Sequence, residues 1–187
     1  MKYFLRTTLL LLATVFAVSA SAATNWVMDP QHSTLSFTGT QAGAQFQGSF
    51  KRFTADIKFD PKDLATSRFD VTIDLSSVST QDDDRDETVK GDDFFAIAKW
   101  PKARYITQTI AAKDAKTCVG TGKLTLRNVT RDVPITFTFE VNGNQGTLKG
   151  SAALRRLDFG VGQGEWKDTS SVGNEVAVKF SLALKRQ

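Results

Sequence analysis

The amino-acid sequence predicts an all-β protein with about eight strands, arranged as a sandwich or a closed barrel, and one or two short helices. Apolar residues occupy every second position in one short segment after another, from Trp26 almost to the last residue. Because successive side chains of a strand point to opposite faces, this period of two gives each strand one dry face and one wet face. Turn signals such as Asn142-Gly143 separate the segments. Many short amphipathic strands in series favour these two architectures.

Residues 1–22 have the pattern of an export signal. A positively charged start precedes an apolar run from Leu9 to Val18, which is too short to span a bilayer, and Ala20-Ser21-Ala22 supplies the small residues that a signal peptidase requires. We therefore expect cleavage after about Ala22, a periplasmic location and one soluble domain over residues 23–187. The formal net charge of +4 comes from scattered basic residues, so no nucleic-acid partner is expected.

The strand segments follow the alternation, and all four prolines lie at their edges, where a missing N–H does not break a ladder. Residues 69–75 and 135–141 show the alternation most clearly. The predicted strands are Trp26–Met28 and Thr34–Thr38, Gln45–Phe59, Arg68–Leu75, Ala103–Ile110, Lys116–Leu126, Val133–Val141, Thr147–Leu157 and Val176–Leu184.

The segment from Thr80 to Phe95 departs from the strand rhythm. Thr80 is a candidate N-cap, and three aspartates follow it where negative charge complements the helix dipole. A short helix is predicted here, ending near Gly91 and covering one end of the barrel, with Phe94 and Phe95 turned inward.

No motif in the sequence indicates catalysis or a metal. His32 is the only histidine, so a turn role beside Asp29-Pro30 is favoured over a catalytic or metal-binding one. The acidic run from Asp82 to Asp93 resembles a calcium loop but lacks its glycine and its final glutamate. Gly160-Val161-Gly162-Gln163-Gly164 is followed by no lysine-serine pair, so a strand bend or barrel rim is favoured over a nucleotide site. We expect no enzymatic activity and no cofactor.

Small residues on inward positions leave two interpretations open. Gly120 and Gly122 share the inward parity of Leu124 and Leu126, and glycine there indicates either close packing of a neighbour or space for a ligand. Cys118 has the same parity and, as a single cysteine in the mature chain, forms no internal disulfide. A small buried hydrophobic role is predicted for it.

Phenylalanine is abundant, with fourteen in the chain, and many lie on the apolar parity of their strands. An eight-strand barrel holds either a packed core or one small ligand, and the sequence leaves both readings open. The proposed cavity wall consists of Phe37, Phe50, Phe69, Phe94, Phe95, Phe137, Phe139, Phe159 and Phe180.

Several stretches together resemble the YceI-like family of periplasmic polyisoprenoid-binding proteins. They occur in order along nearly the whole mature chain, and the series carries the resemblance. The matching stretches are Trp26-Val27-Met28-Asp29-Pro30 with His32-Ser33, Gly48-Ser49-Phe50, the acidic helix to Phe94-Phe95, Trp100-Pro101-Lys102-Ala103-Arg104-Tyr105, residues 122–130 before Val133-Pro134, Arg156-Leu157-Asp158-Phe159-Gly160-Val161, and Val172-Gly173 leading to Glu175-Val176.

The resemblance implies an extended, lipocalin-like antiparallel barrel whose interior takes an isoprenoid chain, without established catalysis. The function expected is a non-catalytic carrier or scavenger of an isoprenoid lipid, such as a polyisoprenoid, a quinone or a quinone precursor. One alternative is a quinone-linked accessory or enzyme that contacts a membrane or a membrane cytochrome; another is a stress-related interaction module with a filled core. Arg156 and Asp158 are candidate residues of the cavity rim, with a structural ion pair near a turn as the competing role. A monomer and a dimer are both compatible with the sequence.

Overall fold

The computed structural model describes residues 23–187, and the predicted export signal lies outside the described residues. Within this range the chain forms ten strands, one α-helix and several short 3-10 turns. The elements are β1 (Thr24–Gln41), β2 (Ala44–Phe50), β3 (Phe53–Phe59), β4 (Arg68–Asp74), β5 (Val78–Ser79), α1 (Asp83–Lys90), β6 (Lys102–Ala112), β7 (Thr117–Leu126), β8 (Val129–Asn142), β9 (Gln145–Arg155) and β10 (Glu175–Arg186).

Eight of these strands close into an antiparallel barrel, in agreement with the sequence-based expectation. The order around the barrel is β1, β3, β4, β6, β7, β8, β9 and β10, and β10 returns to pair with β1. This closing ladder runs from Trp26 opposite Arg186 to Thr38 opposite Ala177. The second half of β1 also pairs with β2, and β2 pairs with β5, so a short flap of sheet extends from one end of the barrel.

Strand β1 is longer than the sequence predicts, because the stretch between its two predicted pieces forms a β-bulge and does not end the strand. The register with β10 shifts between Asp29 and Thr34. The Asp29 carboxylate accepts the backbone N–H of Gln31, and the Ser33 hydroxyl donates to the Asp29 carbonyl while accepting the N–H of Ala183. These bonds satisfy the backbone groups that the ladder loses, so the strand continues through the bulge.

The predicted strand Gln45–Phe59 is two strands, β2 and β3, separated at Lys51 and Arg52. The turn is held by side chains from outside the segment. The Ser77 hydroxyl accepts the Arg52 N–H, and the Arg52 guanidinium binds the Asp74 carboxylate at 2.9 Å. Sequence alternation alone does not show such a break, because these partners lie more than twenty residues away along the chain.

The predicted helix is present, but its cap differs from the prediction. Helix α1 begins at Asp83, and the Asp82 carboxylate caps it by accepting the N–H of Arg85. The hydroxyl of Thr80 instead donates to the Asp86 carboxylate at 2.7 Å. The prediction of Thr80 as the N-cap was therefore wrong by two positions, since Asp82 directly precedes the first helical residue and its carboxylate lies where the first free N–H groups point. No described helix is long and apolar enough to cross a membrane.

Candidate functional site

An apolar channel of about 230 Å³ runs into the barrel from the end that carries the β1–β2 hairpin and α1. Its wall consists almost wholly of carbon side chains. The residues in the lining include Leu35, Phe37, Phe46, Phe50, Phe53, Ile57, Phe69, Val71, Ile73, Phe94, Phe95, Leu124, Ile135, Leu148, Ala152, Leu154, Arg156, Phe159, Val161, Val172, Val178, Phe180 and Leu182.

The alternation of the strands builds this dry wall. Phe69, Val71 and Ile73 are successive inward residues of β4, and all three line the channel. Ala152 and Leu154 do the same on β9, while Ala153 between them is exposed. The period of two that predicts strands therefore also separates the channel from the solvent-facing surface.

Stacked aromatic rings close the barrel at the other end of the channel. The rings of Phe59 and Phe139 stack with centroids 4.4 Å apart, and Trp26 meets Phe139 edge-on at 5.1 Å. Phe137 lies edge-on to Phe69 at 5.0 Å and is 1% exposed. We call these five rings, Trp26, Phe59, Phe69, Phe137 and Phe139, the aromatic floor.

The floor corrects two of the predicted cavity residues. Phe137 and Phe139 do not line the channel; they pack below it, and only Phe69 of the five rings also lines it. Inward parity is the same for packed and channel-lining positions, so the sequence could not separate them. The other predicted phenylalanines all lie in the channel wall. They are Phe37, Phe50, Phe69, Phe94, Phe95, Phe159 and Phe180.

A second row of rings leads from the hairpin into the channel. Phe50 lies 5.5 Å from Phe37 and 5.9 Å from Phe95, and Phe46 lies edge-on to Phe37 at 6.3 Å. Phe37 pairs across the strands with Gly48, and Phe46 pairs with Gly39. A side chain at either glycine would collide with the opposite ring. The sequence analysis did not include Phe46 in the channel wall. The signal that could have indicated it is the glycine that faces each of the two phenylalanines on the neighbouring strand.

Arg156 lies inside the wall of the channel, not on an exposed rim. It is 6% exposed, and its guanidinium donates to three backbone carbonyls, those of Gly173 at 2.9 Å, Val161 at 2.9 Å and Val172 at 2.6 Å. Burial lowers the pKa of this side chain from its ordinary value. Asp158 is exposed, and no ion pair joins it to Arg156 in the described part of the chain. The two predicted rim residues therefore do not form a pair: Arg156 is buried in the channel wall, and Asp158 lies on the surface.

Tyr105 is the other titratable side chain in the channel wall. Its hydroxyl donates to the Val133 carbonyl at 3.0 Å, and burial raises its pKa well above the ordinary value. The ring covers Gly122, where an added Cβ would lie 2.6 Å from the Tyr105 ring. Of the two interpretations of the inward glycines, close packing accounts for Gly122, and Ile135 similarly approaches Gly120 to 3.1 Å.

The remaining motifs have structural partners. The His32 ring lies 3.0 Å from the Asp29 carboxylate at the exposed bulge of β1. Residues 23–187 contain no group of three or more His, Cys, Asp or Glu side chains arranged to hold a metal ion. In the glycine loop, Gly160, Gly162 and Gly164 have positive φ, and the N–H groups of Gly162 and Gln163 donate to the Asp93 carbonyl. The loop thereby joins the Arg156 segment to the residues after α1.

Comparison with known sequences places this architecture among relatives of similar length. The YceI-like domain family matches residues 26–184. A UPF0312 protein of Vibrio campbellii is 31% identical over 165 residues, covering 85% of this chain and 87% of its own. Protein YceI of Escherichia coli O6:H1 is 33% identical over 124 residues, covering 65% of this chain and 64% of its own.

Solved structures agree with the fold. BcnA of Burkholderia cenocepacia superposes with a TM-score of 0.81 at 35% identity, covering 83% of this chain and 98% of BcnA. A polyisoprenoid binding domain from Saccharophagus degradans, implicated in plant cell wall breakdown, superposes with a TM-score of 0.69 at 14% identity, covering 88% and 99% of the two chains. At that identity the second likeness concerns the fold alone.

Proposed function

This chain belongs to the YceI-like domain family, and from that premise we propose that it is a non-catalytic carrier or scavenger of an isoprenoid lipid. The observation that carries the proposal is the dry channel, which is walled by carbon side chains and closed by the aromatic floor. A neighbour in fold is a polyisoprenoid binding domain, which supports the same ligand class. A flexible, branched hydrocarbon tail matches a channel of this shape better than a polar metabolite does.

Burial of the tail supplies the binding free energy in this proposal. Each methylene-sized group that leaves water contributes roughly 0.8 kcal/mol. A tail of a few isoprene units therefore binds without any directional hydrogen bond, which agrees with a wall that offers few polar groups. The channel volume of about 230 Å³ favours a short tail or the end of a long one.

The titratable groups of the wall favour a carrier over a quinone-linked enzyme. Proton or electron chemistry on a bound quinone calls for a side chain that exchanges a proton near neutral pH. Tyr105 is held neutral by its raised pKa, with its hydroxyl committed to the Val133 carbonyl, and arginine does not deprotonate in proteins.

The proposed site of action is the periplasm, on the basis of the predicted export signal. N-terminal sequencing of the mature protein should then begin near Ala23.

A channel-blocking variant with a matched control tests the proposal. Ala152→Phe places a ring in the channel, whereas Ala153→Phe places the same ring on the outer face of the same strand. We expect the wild type and Ala153→Phe to bind farnesol in a fluorescence or calorimetric titration, and Ala152→Phe to lose that binding with its thermal transition retained. Mass spectrometry of organic extracts of the native protein should show an isoprenoid. Equal farnesol binding by both variants would refute the channel as the site.

A further inference from the structure

The free space of the channel ends abruptly along strand β4. Ile73, Val71 and Phe69 are successive inward residues of this strand, and all three line the channel. Ile73 and Val71 are half-buried, so they border free space, whereas Phe69 is only 1% exposed. The space that a ligand can occupy therefore reaches Val71 and stops at the ring of Phe69.

The neighbouring strands show the same change from half-buried to fully buried. On β10 it falls between Phe180, which is half-buried, and Leu182, which is buried and pairs with the buried Leu148 of β9. Phe69 pairs across β3 and β4 with Ile57, which is also fully buried. All four buried side chains line the channel and belong to one packed core. We call Ile57, Phe69, Leu148 and Leu182 the channel stop.

Phe69 is the aromatic member of the channel stop, and it separates the channel from the aromatic floor. Its ring lies 5.0 Å from the ring of Phe137 and 6.1 Å from that of Phe59, and both of these rings pack below the channel. Deletion of the Phe69 ring would therefore leave an apolar space that is continuous with the channel. Apolar cavities made in this way stay dry and accept apolar guests.

A buried hydroxyl fixes the position of Phe69. The residue pairs of β4 and β6 begin at Asp70 with Ile106, so Phe69 lies one residue beyond this ladder. The hydroxyl of Thr107, itself 5% exposed, accepts the Phe69 N–H at 2.8 Å and lies 3.5 Å from the Phe69 carbonyl. Because a side chain takes over where the ladder ends, the ring is held at a defined depth in the barrel.

From these observations we infer that Phe69 determines the length of isoprenoid tail that the channel accepts. The inference rests on the proposed function, since it concerns the tail of the same ligand. A tail gains free energy for each group that leaves water, and this gain ends when the tail meets the ring. The preferred ligand is therefore a short prenyl chain, and the units beyond it stay at the mouth.

Geraniol, farnesol and geranylgeraniol test the inference because each has one isoprene unit more than the one before. For the wild type we expect affinity to rise from geraniol to farnesol and to differ by at most about threefold between farnesol and geranylgeraniol, whose last unit remains unburied. In Phe69→Ala the tail moves into the vacated space, so geranylgeraniol should bind at least about tenfold more tightly than farnesol. Geranylgeraniol should then also raise the melting temperature of this variant more than farnesol does.

Two further variants keep the test independent of stability. Phe69→Leu opens a smaller space and should shift the preference in the same direction by a smaller factor, which decides the matter if Phe69→Ala does not fold. Phe139→Ala is the matched control, because it deletes the same ring from the floor, where Phe139 stacks on Phe59 and does not line the channel. This control should lower the melting temperature and leave the wild-type order of affinities unchanged.

The inference is overturned if the Phe69 variants change the affinities for all three prenols by one common factor, since the ring then has only a packing role. An equal shift of preference in Phe139→Ala would overturn it as well, because the limit would lie in the floor. In both cases farnesol still binds the wild type and the carrier function stands. If none of the three prenols binds the wild type, the proposed isoprenoid function itself fails.

Discussion

At the scale of single residues, two phenylalanines with the same inward parity have different roles. Phe137 is 1% exposed within the aromatic floor, whereas Phe50 is half-buried in the channel wall. We predict that Phe137→Ala lowers the free energy of unfolding by about 3–5 kcal/mol, because the packed floor cannot close the cavity left behind. Phe50→Ala should cost clearly less stability but weaken farnesol binding. Chemical denaturation and titration of both variants check this, and a reversed pattern would contradict the assignment of floor and wall.

Gly162 illustrates a backbone constraint at the same scale. Its φ is +89°, and an added Cβ would collide with the Arg156 guanidinium. Gly164 also has a positive φ, +58°, but a Cβ there would meet nothing closer than 3.9 Å. Gly162→Ala should therefore lower the melting temperature more than Gly164→Ala, which carries only the backbone cost of about 1–2 kcal/mol. Similar losses in the two variants would mean that the loop shifts to make room.

At the scale of elements, an arginine on β6 ties that strand to β4. Arg104 donates two hydrogen bonds to the Asp70 carboxylate, at 2.8 and 2.6 Å. These bonds are the main reason that the pKa of Asp70 lies below its ordinary value of 3.8, and the positive charges of Arg104 and Arg68 lower it further. The folded state therefore binds the Asp70 proton less readily than the unfolded state, so the pair stabilises the fold above about pH 4 and the contribution disappears as the pH falls below that value.

This coupling predicts a change in acid sensitivity. Asp70→Asn and Arg104→Gln should each lower stability at neutral pH only slightly, since the arginine is largely exposed and solvent screens the pair. Each should also flatten the pH dependence of stability below about pH 4, and the double variant should add little to either. Urea denaturation at a series of pH values measures both effects. Additive losses in the double variant would show that the two side chains act independently.

The strands show how much of the fold and of the channel the sequence can predict. Alternation identified the eight barrel strands because each has one dry and one wet face, and this follows from local pattern alone. The break between β2 and β3 was missed because Ser77 and Asp74 hold it from a distance. Parity assigned Phe137 and Phe180 to the same face of their strands, and it carries no information on depth along the barrel. The register sets both phenylalanines beside Gly150, so only the packing of the rings separates them: Phe137 packs on Phe59 and Phe69, whereas Phe180 lines the channel.

At the scale of the whole molecule, the channel is smaller than the pockets that usually enclose a ligand. Its volume of about 230 Å³ lies below the roughly 300–1,000 Å³ typical of drug-sized ligands. A tail longer than a few isoprene units must therefore widen the open end. That end is held by few bonds: Ala42 donates to the Ser171 carbonyl and Gly173 donates to the Thr40 carbonyl, both at 2.9 Å.

A reversible cross-link at this end tests whether it opens. Gln41 and Val172 face each other in an isolated antiparallel bridge, so Gln41→Cys with Val172→Cys, in a Cys118→Ala background, places two thiols across the mouth. We expect the oxidised protein to take up the long prenol solanesol clearly more slowly than the same protein after reduction, because the cross-link prevents the open end from widening. Farnesol, which fits without widening, should associate at similar rates in both redox states. Equal solanesol rates before and after reduction would mean that long tails enter by another route, because the cross-link holds together the two segments that must separate.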